Sequence, residues 1–148
     1  MKIKAKVIPG YGVASGKNKD PRYPQGTVAV QIPFFEAKGL DFSSYFKGTL
    51  NVDISPYSFA IREAKIFFEG IDWSAHIPPE NFYFFDVTLF YNGIPYEVLI
   101  YMPDPKTKTE HQQQKTTLEL ILPKIETLQY GAAIELEVNP KQMALSIS

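Results

Sequence analysis

The residues whose types and spacing are best suited to chemistry lie in Gly48-Thr49-Leu50-Asn51-Val52-Asp53-Ile54. Side chains of an extended chain alternate between two faces, so Thr49, Asn51 and Asp53 project one way and Leu50, Val52 and Ile54 the other. A hydroxyl, an amide carbonyl and a carboxylate in one row are hard oxygen donors. Magnesium takes a few such ligands and fills its remaining positions with water and substrate phosphate. The same alternation also suits a half-buried strand that turns a polar face to water.

A second candidate is Pro9-Gly10-Tyr11-Gly12-Val13-Ala14-Ser15-Gly16-Lys17, directly after an expected strand. Closely spaced glycines let backbone N–H groups approach phosphate oxygens. The loop is neither of the two best-known phosphate motifs. Tyr11 stands where a Walker A loop needs its first glycine, Asn18 replaces the magnesium-binding Ser or Thr, and Ser15 replaces the third glycine of a dinucleotide fingerprint. A flexible connection between strands would look the same. A third candidate is the polar run Lys106-Thr107-Lys108-Thr109-Glu110-His111, followed by Glu119 in the next expected strand. Hydroxyls, an imidazole and a carboxylate can bind a polyol or phosphate, and a carboxylate can take a proton from an attacking hydroxyl. A solvated surface loop has a similar composition. His76 suits a turn or an interface, and two histidines without cysteine do not make a typical structural zinc site.

These groups need a scaffold, and composition bounds it. A chain of 148 residues with 45% hydrophobic and 21% charged residues fits one globular domain, residues 1–148. The net charge of −1 gives no field that would favour a polyanion, so neither nucleic acid nor an anionic membrane is an expected partner. The absence of cysteine removes disulfides and thiol catalysis and fits a reducing cytoplasm. The start, Met1-Lys2-Ile3-Lys4-Ala5-Lys6, alternates charged and apolar residues, as a first strand would and a secretory signal would not.

Twelve prolines, nine glycines, 11 Phe and nine Tyr, spread along the chain, favour short strands separated by turns. The fold class is all-β, with one or two short helices. Expected strands are 2–8, 27–32, 49–54, 64–69, 82–91, 94–102, 117–122, 133–138 and 143–147. Asn92-Gly93 suits a type I′ hairpin, which would pair Tyr91 with Ile94, Leu89 with Tyr96 and Val87 with Val98 on a core-facing side. Segments 9–26 and 104–117 read as long polar loops. A short helix is expected over 124–131, where Ile125 and Leu128 are at helical spacing and Gly131 suits the position after a helix end.

In this order, a strand, a Gly-x-Gly loop, Gly48-Thr49-Leu50-Asn51, a polar loop with Thr109-x-His111, a strand carrying Glu119 and ending near Pro123, and a last strand begun by Gly131, the chain resembles the archaeal-type CTP-dependent riboflavin kinases. The resemblance spans about Lys2 to Val138, and Gly48-Thr49-Leu50-Asn51 is its sharpest match. It implies a small closed β-barrel of the riboflavin kinase-like type. It also implies transfer of the γ-phosphate of CTP to riboflavin, giving FMN and CDP with Mg2+. Position by position, it places nucleotide binding on Gly10, Tyr11, Gly12, Val13, Ala14 and Ser15 and on Lys124, Ile125, Glu126 and Thr127. It places metal binding on Thr49 and Asn51, with Asp53 beside them, and flavin binding on Thr109 and Glu119, with His111 adjacent. Glu119 is also the candidate catalytic carboxylate.

The chain departs from that pattern in places. Val13 and Ala14 stand where the family has Glu and Gly, residues 17–25 look inserted, and Glu126-Thr127 occupies a position that is commonly basic. Two other functions therefore stay open: a non-catalytic barrel that binds flavin or nucleotide, and a protein-interaction module built on the 14% aromatic content.

Overall fold

The computed structural model describes residues 1–9, 27–106 and 115–147. In chain order the elements are β1 (Lys2–Ile8), α1 (Thr27–Ala37), β2 (Leu50–Asp53), β3 (Tyr57–Ile61), β4 (Ile66–Ile71), β5 (Glu80–Tyr91), β6 (Ile94–Pro103), β7 (Thr117–Ile121), β8 (Ala133–Val138) and β9 (Met143–Ile147). Every pairing is antiparallel. The order β5-β6-β7-β2-β1-β8 returns to β5 through a β8–β5 pairing, so six strands close into a barrel. β4 is an extra strand on the first half of β5, and β3 pairs with β9 in a separate two-stranded ribbon. Among the described residues no helix is long and apolar enough to cross a membrane.

Alternation along each strand produces the interior. Ile3, Ala5 and Val7 of β1, Val52 of β2, Leu118 and Leu120 of β7, and Ile134 and Leu136 of β8 are buried in one cluster with Val87, Leu89, Val98 and Ile100. The intervening positions face outward. There Lys2 pairs with Glu137 and Lys4 with Glu135, and opposite charges directly across a ladder support the register.

The β5–β6 hairpin forms as the sequence predicts. Asn92 and Gly93 have φ of 51° and 75°, the two positive values of a type I′ turn, and Tyr91–Ile94, Leu89–Tyr96 and Val87–Val98 are paired. Val87, Leu89 and Val98 are buried as expected, whereas Ile94 at the turn is 52% exposed.

The segment 27–32, expected as a strand, is instead the first half of α1. Val28, Gln31, Ile32 and Phe35 are its buried residues, a helical spacing that Val-Ala-Val-Gln-Ile disguises as alternation. Pro33 lies inside the helix and is exposed, which removes one backbone donor from the solvent side. α1 covers a second apolar cluster on the outer face of the sheet: Phe68 of β4, Phe82 and Phe84 of β5, Leu99 and Tyr101 of β6, and Ile121 of β7. Phe35 is the centre of this layer, with ring centroids 5.0 Å from Phe82, 5.3 Å from Phe84, 5.7 Å from Phe68 and 5.9 Å from Phe42.

Three smaller expectations change. Residues 57–61, not among the expected strands, form β3, whose Tyr57 and Phe59 pack against the interior cluster. The short helix expected over 124–131 is a pair of turns. Ile125 and Leu128 do pack on the interior cluster, and Gly131 has φ of 87°, but the only local closures are Leu128 N to Ile125 O and Ala132 N to Gln129 O. Asp104, expected in an exposed loop, is 5% exposed, and its carboxylate accepts from Lys106 N at 3.0 Å and from Asn81 Nδ2 at 3.4 Å.

Candidate functional site

The projection expected for β2 holds. Val52 and Ile54 are fully buried in the barrel, which sets Asn51 and Asp53 on the outer wall. Register then builds a row across the sheet. Asn51 lies opposite Ile8 of β1 on one side and Glu119 of β7 on the other. Glu119 lies opposite Tyr101 of β6, and Tyr101 opposite Phe84 of β5. Thr49, just ahead of β2, donates its Oγ1 hydrogen to Glu119 Oε1 at 3.1 Å. A hydroxyl that donates once retains both of its lone pairs, so this bond leaves the Thr49 oxygen able to act as a ligand or acceptor.

Tyr101 links the row to the helix above it. Its hydroxyl donates to Gln31 Oε1 at 2.6 Å, inside the outer apolar layer. Burial pushes the phenol well above the usual tyrosine range, and the negative charges of Glu119 and then Glu80 push the same way; the bond to Gln31 only partly opposes them. Glu80, at the start of β5, is itself 3% exposed. The wall beneath α1 thus combines two carboxylates, a protonated phenol and an amide with a mostly aromatic surround.

Asp53 is set apart from this group. It pairs with Lys6 and Thr117, and its Oδ1 accepts from Ser55 N at 2.8 Å. The Ser55 backbone bond, helped by the Ser55 hydroxyl and the Lys6 charge, holds its carboxyl below the usual aspartate range against a small opposing effect of burial. Two residues of strand separate it from Asn51, about 7 Å along the chain. Thr49, Asn51 and Glu119 are therefore brought together, and Asp53 faces the turn that follows β2.

Residues 124–127, expected to contact nucleotide, leave the sheet at the same end as Thr49. Phe46 N donates to Leu122 O at 3.0 Å, so the chain entering β2 and the chain leaving β7 run side by side. Lys124, Glu126 and Thr127 are exposed, with Lys124 Nζ 3.9 Å from Glu126 Oε1, and Thr127 O accepts from Tyr91 OH at 2.9 Å. An open depression of about 390 Å³ lies beside them, lined by Val7, Leu50, Leu128, Gln129 and Tyr130. Gly10, Tyr11, Gly12, Val13, Ala14, Ser15, Thr109 and His111 lie outside the described residues. His76 is exposed in a turn whose backbone N–H bonds Ser74 Oγ at 3.0 Å.

Sequence reasoning missed Gln31, Glu80 and Tyr101. Tyr101 sits in an apolar run that reads as core, and Gln31 in a segment that reads as a strand. On a helical reading of 28–35, a single amide within an apolar stripe would have singled Gln31 out. Among the described residues no three His, Asp or Glu side chains gather as they would around a metal held by those residues alone. Thr49 and Asn51 offer a different donor set, neutral oxygens beside one carboxylate, and that set fits a hard cation shared with a phosphate. No protein-family model matches the chain, and no curated protein sequence matches it.

Proposed function

We propose that this chain is a riboflavin kinase-like barrel that transfers the γ-phosphate of CTP to riboflavin, with Mg2+, to give FMN and CDP. The observation that carries the reading is the meeting of Thr49, Asn51 and Glu119 on one patch of the outer wall. The resemblance assigns these three to metal and flavin, and they come from parts of the chain 70 residues apart. The closed six-stranded barrel is compatible with that architecture.

In this reading Thr49 and Asn51 hold the metal through the hydroxyl and amide oxygens, and Thr49 keeps its proton on Glu119. Bound magnesium supplies charge neutralisation for the transferring phosphoryl group. Glu119 orients the 5′-hydroxyl of riboflavin and takes up its proton. Lys124 exchanges its long surface contact with Glu126, a pair of small energetic value, for a nucleotide phosphate. The rate gain comes from positioning the acceptor against the donor rather than from covalent chemistry. The ligands are small molecules, and the site of action is the cytoplasm. Incubation with riboflavin, Mg2+ and CTP, followed by chromatography, should give FMN. A folded sample that makes none with CTP, ATP, GTP or UTP excludes the kinase.

Val13 and Ala14, and the Glu126 carboxylate in the second nucleotide stretch, favour one other reading: a barrel that binds flavin without phosphorylating it. A ligand that binds only the folded chain raises its unfolding temperature, so stabilisation by riboflavin with no effect of CTP would select that reading.

A further inference from the structure

β4 is the seventh strand of the barrel sheet and lies outside the ring. It pairs with the first half of β5, and among the described residues no strand pairs with its other edge. Such an edge offers backbone groups to another strand, and proteins usually blunt it. Here the blunting covers only the far half of β4. The register shifts between Phe68 and Ile71, Gly70 has φ of 64°, and its N–H is taken by Asn81 Oδ1 at 2.8 Å. Ahead of this bulge, Ile66, Phe67 and Phe68 stay in register with Phe84, Tyr83 and Phe82, flanked by Lys65 and Glu69.

The two faces of this short edge differ. Ile66 and Phe68 belong to the layer beneath α1. Phe67 turns the other way, is 45% exposed, and meets Tyr83 with ring centroids 4.7 Å apart. The charges on either side of it are exposed and opposite in sign.

That pattern is self-complementary in one register. Two copies of an edge strand that extend one sheet are antiparallel about a two-fold axis, and matching faces require the axis to pass through a residue. An axis at Ile66 sets Lys65 against Phe67 and Ala64 against Phe68. An axis at Phe68 sets Phe67 against Glu69 and Ile66 against Gly70, inside the bulge. An axis at Phe67 sets Phe67 against itself, Ile66 against Phe68, and Lys65 against Glu69 at both ends. Only the last pairs apolar with apolar and opposite charges with each other, the pairings that stabilise neighbouring strands. Lys65 Nζ already donates to Asp86 Oδ1 at 2.8 Å, but an ammonium has three hydrogens and can serve both carboxylates.

We propose that this edge of β4 is the docking surface for a second copy of the chain, joined antiparallel about a two-fold axis at Phe67. The bulge at Gly70 confines the ladder to a few residues, less than the roughly 1,000 Å² that lasting interfaces clear, so the dimer exchanges with monomer. The inference does not rest on the proposed function: Thr49 and Glu119 stand at β2 and β7, on the far side of β6 from this edge.

The chain has no cysteine, so a single introduced thiol reports one position. Directly opposed residues have β-carbons about 5 Å apart, close to the span of a disulfide. Phe67→Cys, oxidised with glutathione disulfide, should form covalent dimer roughly tenfold faster than Glu69→Cys or Ile94→Cys, because only on the axis does a thiol face its own copy. A charge exchange checks the register by sedimentation equilibrium. Glu69→Lys and Lys65→Glu should each weaken the dimer, and an equal mixture of the two should restore it, since both contacts then pair opposite charges. Loosening of the fold would not produce that rescue. If Lys65→Glu fails to fold without its bond to Asp86, the thiol comparison and Glu69→Lys still decide. Equal cross-linking at the three positions overturns the inference, and so does a dimer indifferent to Glu69→Lys, which would be built on another surface. A chain that stays monomeric at every concentration and cross-links no faster at position 67 also overturns it, leaving the edge to a strand of another protein or to none.

Discussion

Thr49 and Glu119, 70 residues apart in the sequence, are joined by a 3.1 Å hydrogen bond on the outer wall of the barrel. The bond exists because β2 and β7 are ladder neighbours with Asn51 opposite Glu119. That register puts a hydroxyl, an amide and a carboxylate within reach of one small ligand.

Thr49→Ala removes a partly buried hydroxyl and one hydrogen bond, and should cost the fold only about 1 kcal/mol. FMN formation should fall by at least about tenfold, since a tenfold rate loss needs only about 1.4 kcal/mol at the transition state. Thr49→Ser keeps the hydroxyl and should recover most of the rate. Chelation of magnesium should abolish FMN formation in all three proteins. Chromatography of the flavin products, with urea unfolding in parallel, separates the two effects.

Phe35→Ala should be among the most damaging single substitutions. The ring is fully buried and meets Phe42, Phe68, Phe82 and Phe84, so its loss leaves a cavity that four rigid aromatic rings cannot fill. The expected destabilisation is about 3–5 kcal/mol in urea titration. An unchanged near-ultraviolet circular dichroism spectrum, or a destabilisation below about 1 kcal/mol, would contradict a tightly packed outer layer.

Asp86 should make part of the stability pH-dependent. Burial works to raise its pKa, but hydrogen bonds from Lys65 Nζ at 2.8 Å and Gln142 Nε2 at 2.9 Å, with the Lys65 charge, bring it below the usual aspartate value. A carboxylate with a depressed pKa stabilises the fold above its unfolded pKa of about 3.9, and that contribution disappears as pH falls through the lower folded value. Asp86→Asn should therefore be less stable than the parent at pH 7, with the gap closing as the pH drops below about 4. Unfolding midpoints measured from pH 7 down to acid read this directly, and a gap that widens toward acid would show the sign to be wrong.

Gly93→Ala isolates a backbone cost. Gly93 has φ of 75° with nothing within 4 Å of an added β-carbon, so the substitution strains the turn without a clash. About 1–2 kcal/mol should be lost. Asn92→Gly relaxes the neighbouring positive φ of 51° and should change stability by less than about 1 kcal/mol.

Local rules go far in this chain where one face of a strand meets water. Lys2 to Ile8, Asn51 to Asp53 and Ala133 to Val138 alternate cleanly, and the Asn92-Gly93 turn sets ten residue pairs of the longest hairpin in their observed register. The same rules fail where a strand is covered on both sides. Phe84, Tyr101 and Ile121 point away from the barrel interior, yet in the sequence they look like any other apolar strand residues, so nothing reveals that a helix must lie over them. That helix is equally hidden, because Val28-Ala29-Val30-Gln31-Ile32 satisfies the strand period as well as the helical one. The site follows the same division. Thr49 and Asn51 are legible from alternation and motif, whereas Gln31 and Tyr101 depend on a long-range contact between α1 and β6 that no local pattern encodes.

β5 is shared between the two layers. β6 pairs along one of its edges from Phe82 to Tyr91, while the other edge is taken first by β4 and then by β8. Amide hydrogens in the stretch from Val87 to Phe90 are consequently enclosed by ladders on both sides, and deuterium should reach them only when the whole barrel opens. Those at the two-stranded β3–β9 ribbon, which stands apart from the barrel sheet, should exchange through much smaller openings. β5 therefore makes the inner barrel and the outer helix layer one cooperative unit: a loss of packing under α1 should be felt as faster exchange at Leu89 on the opposite face.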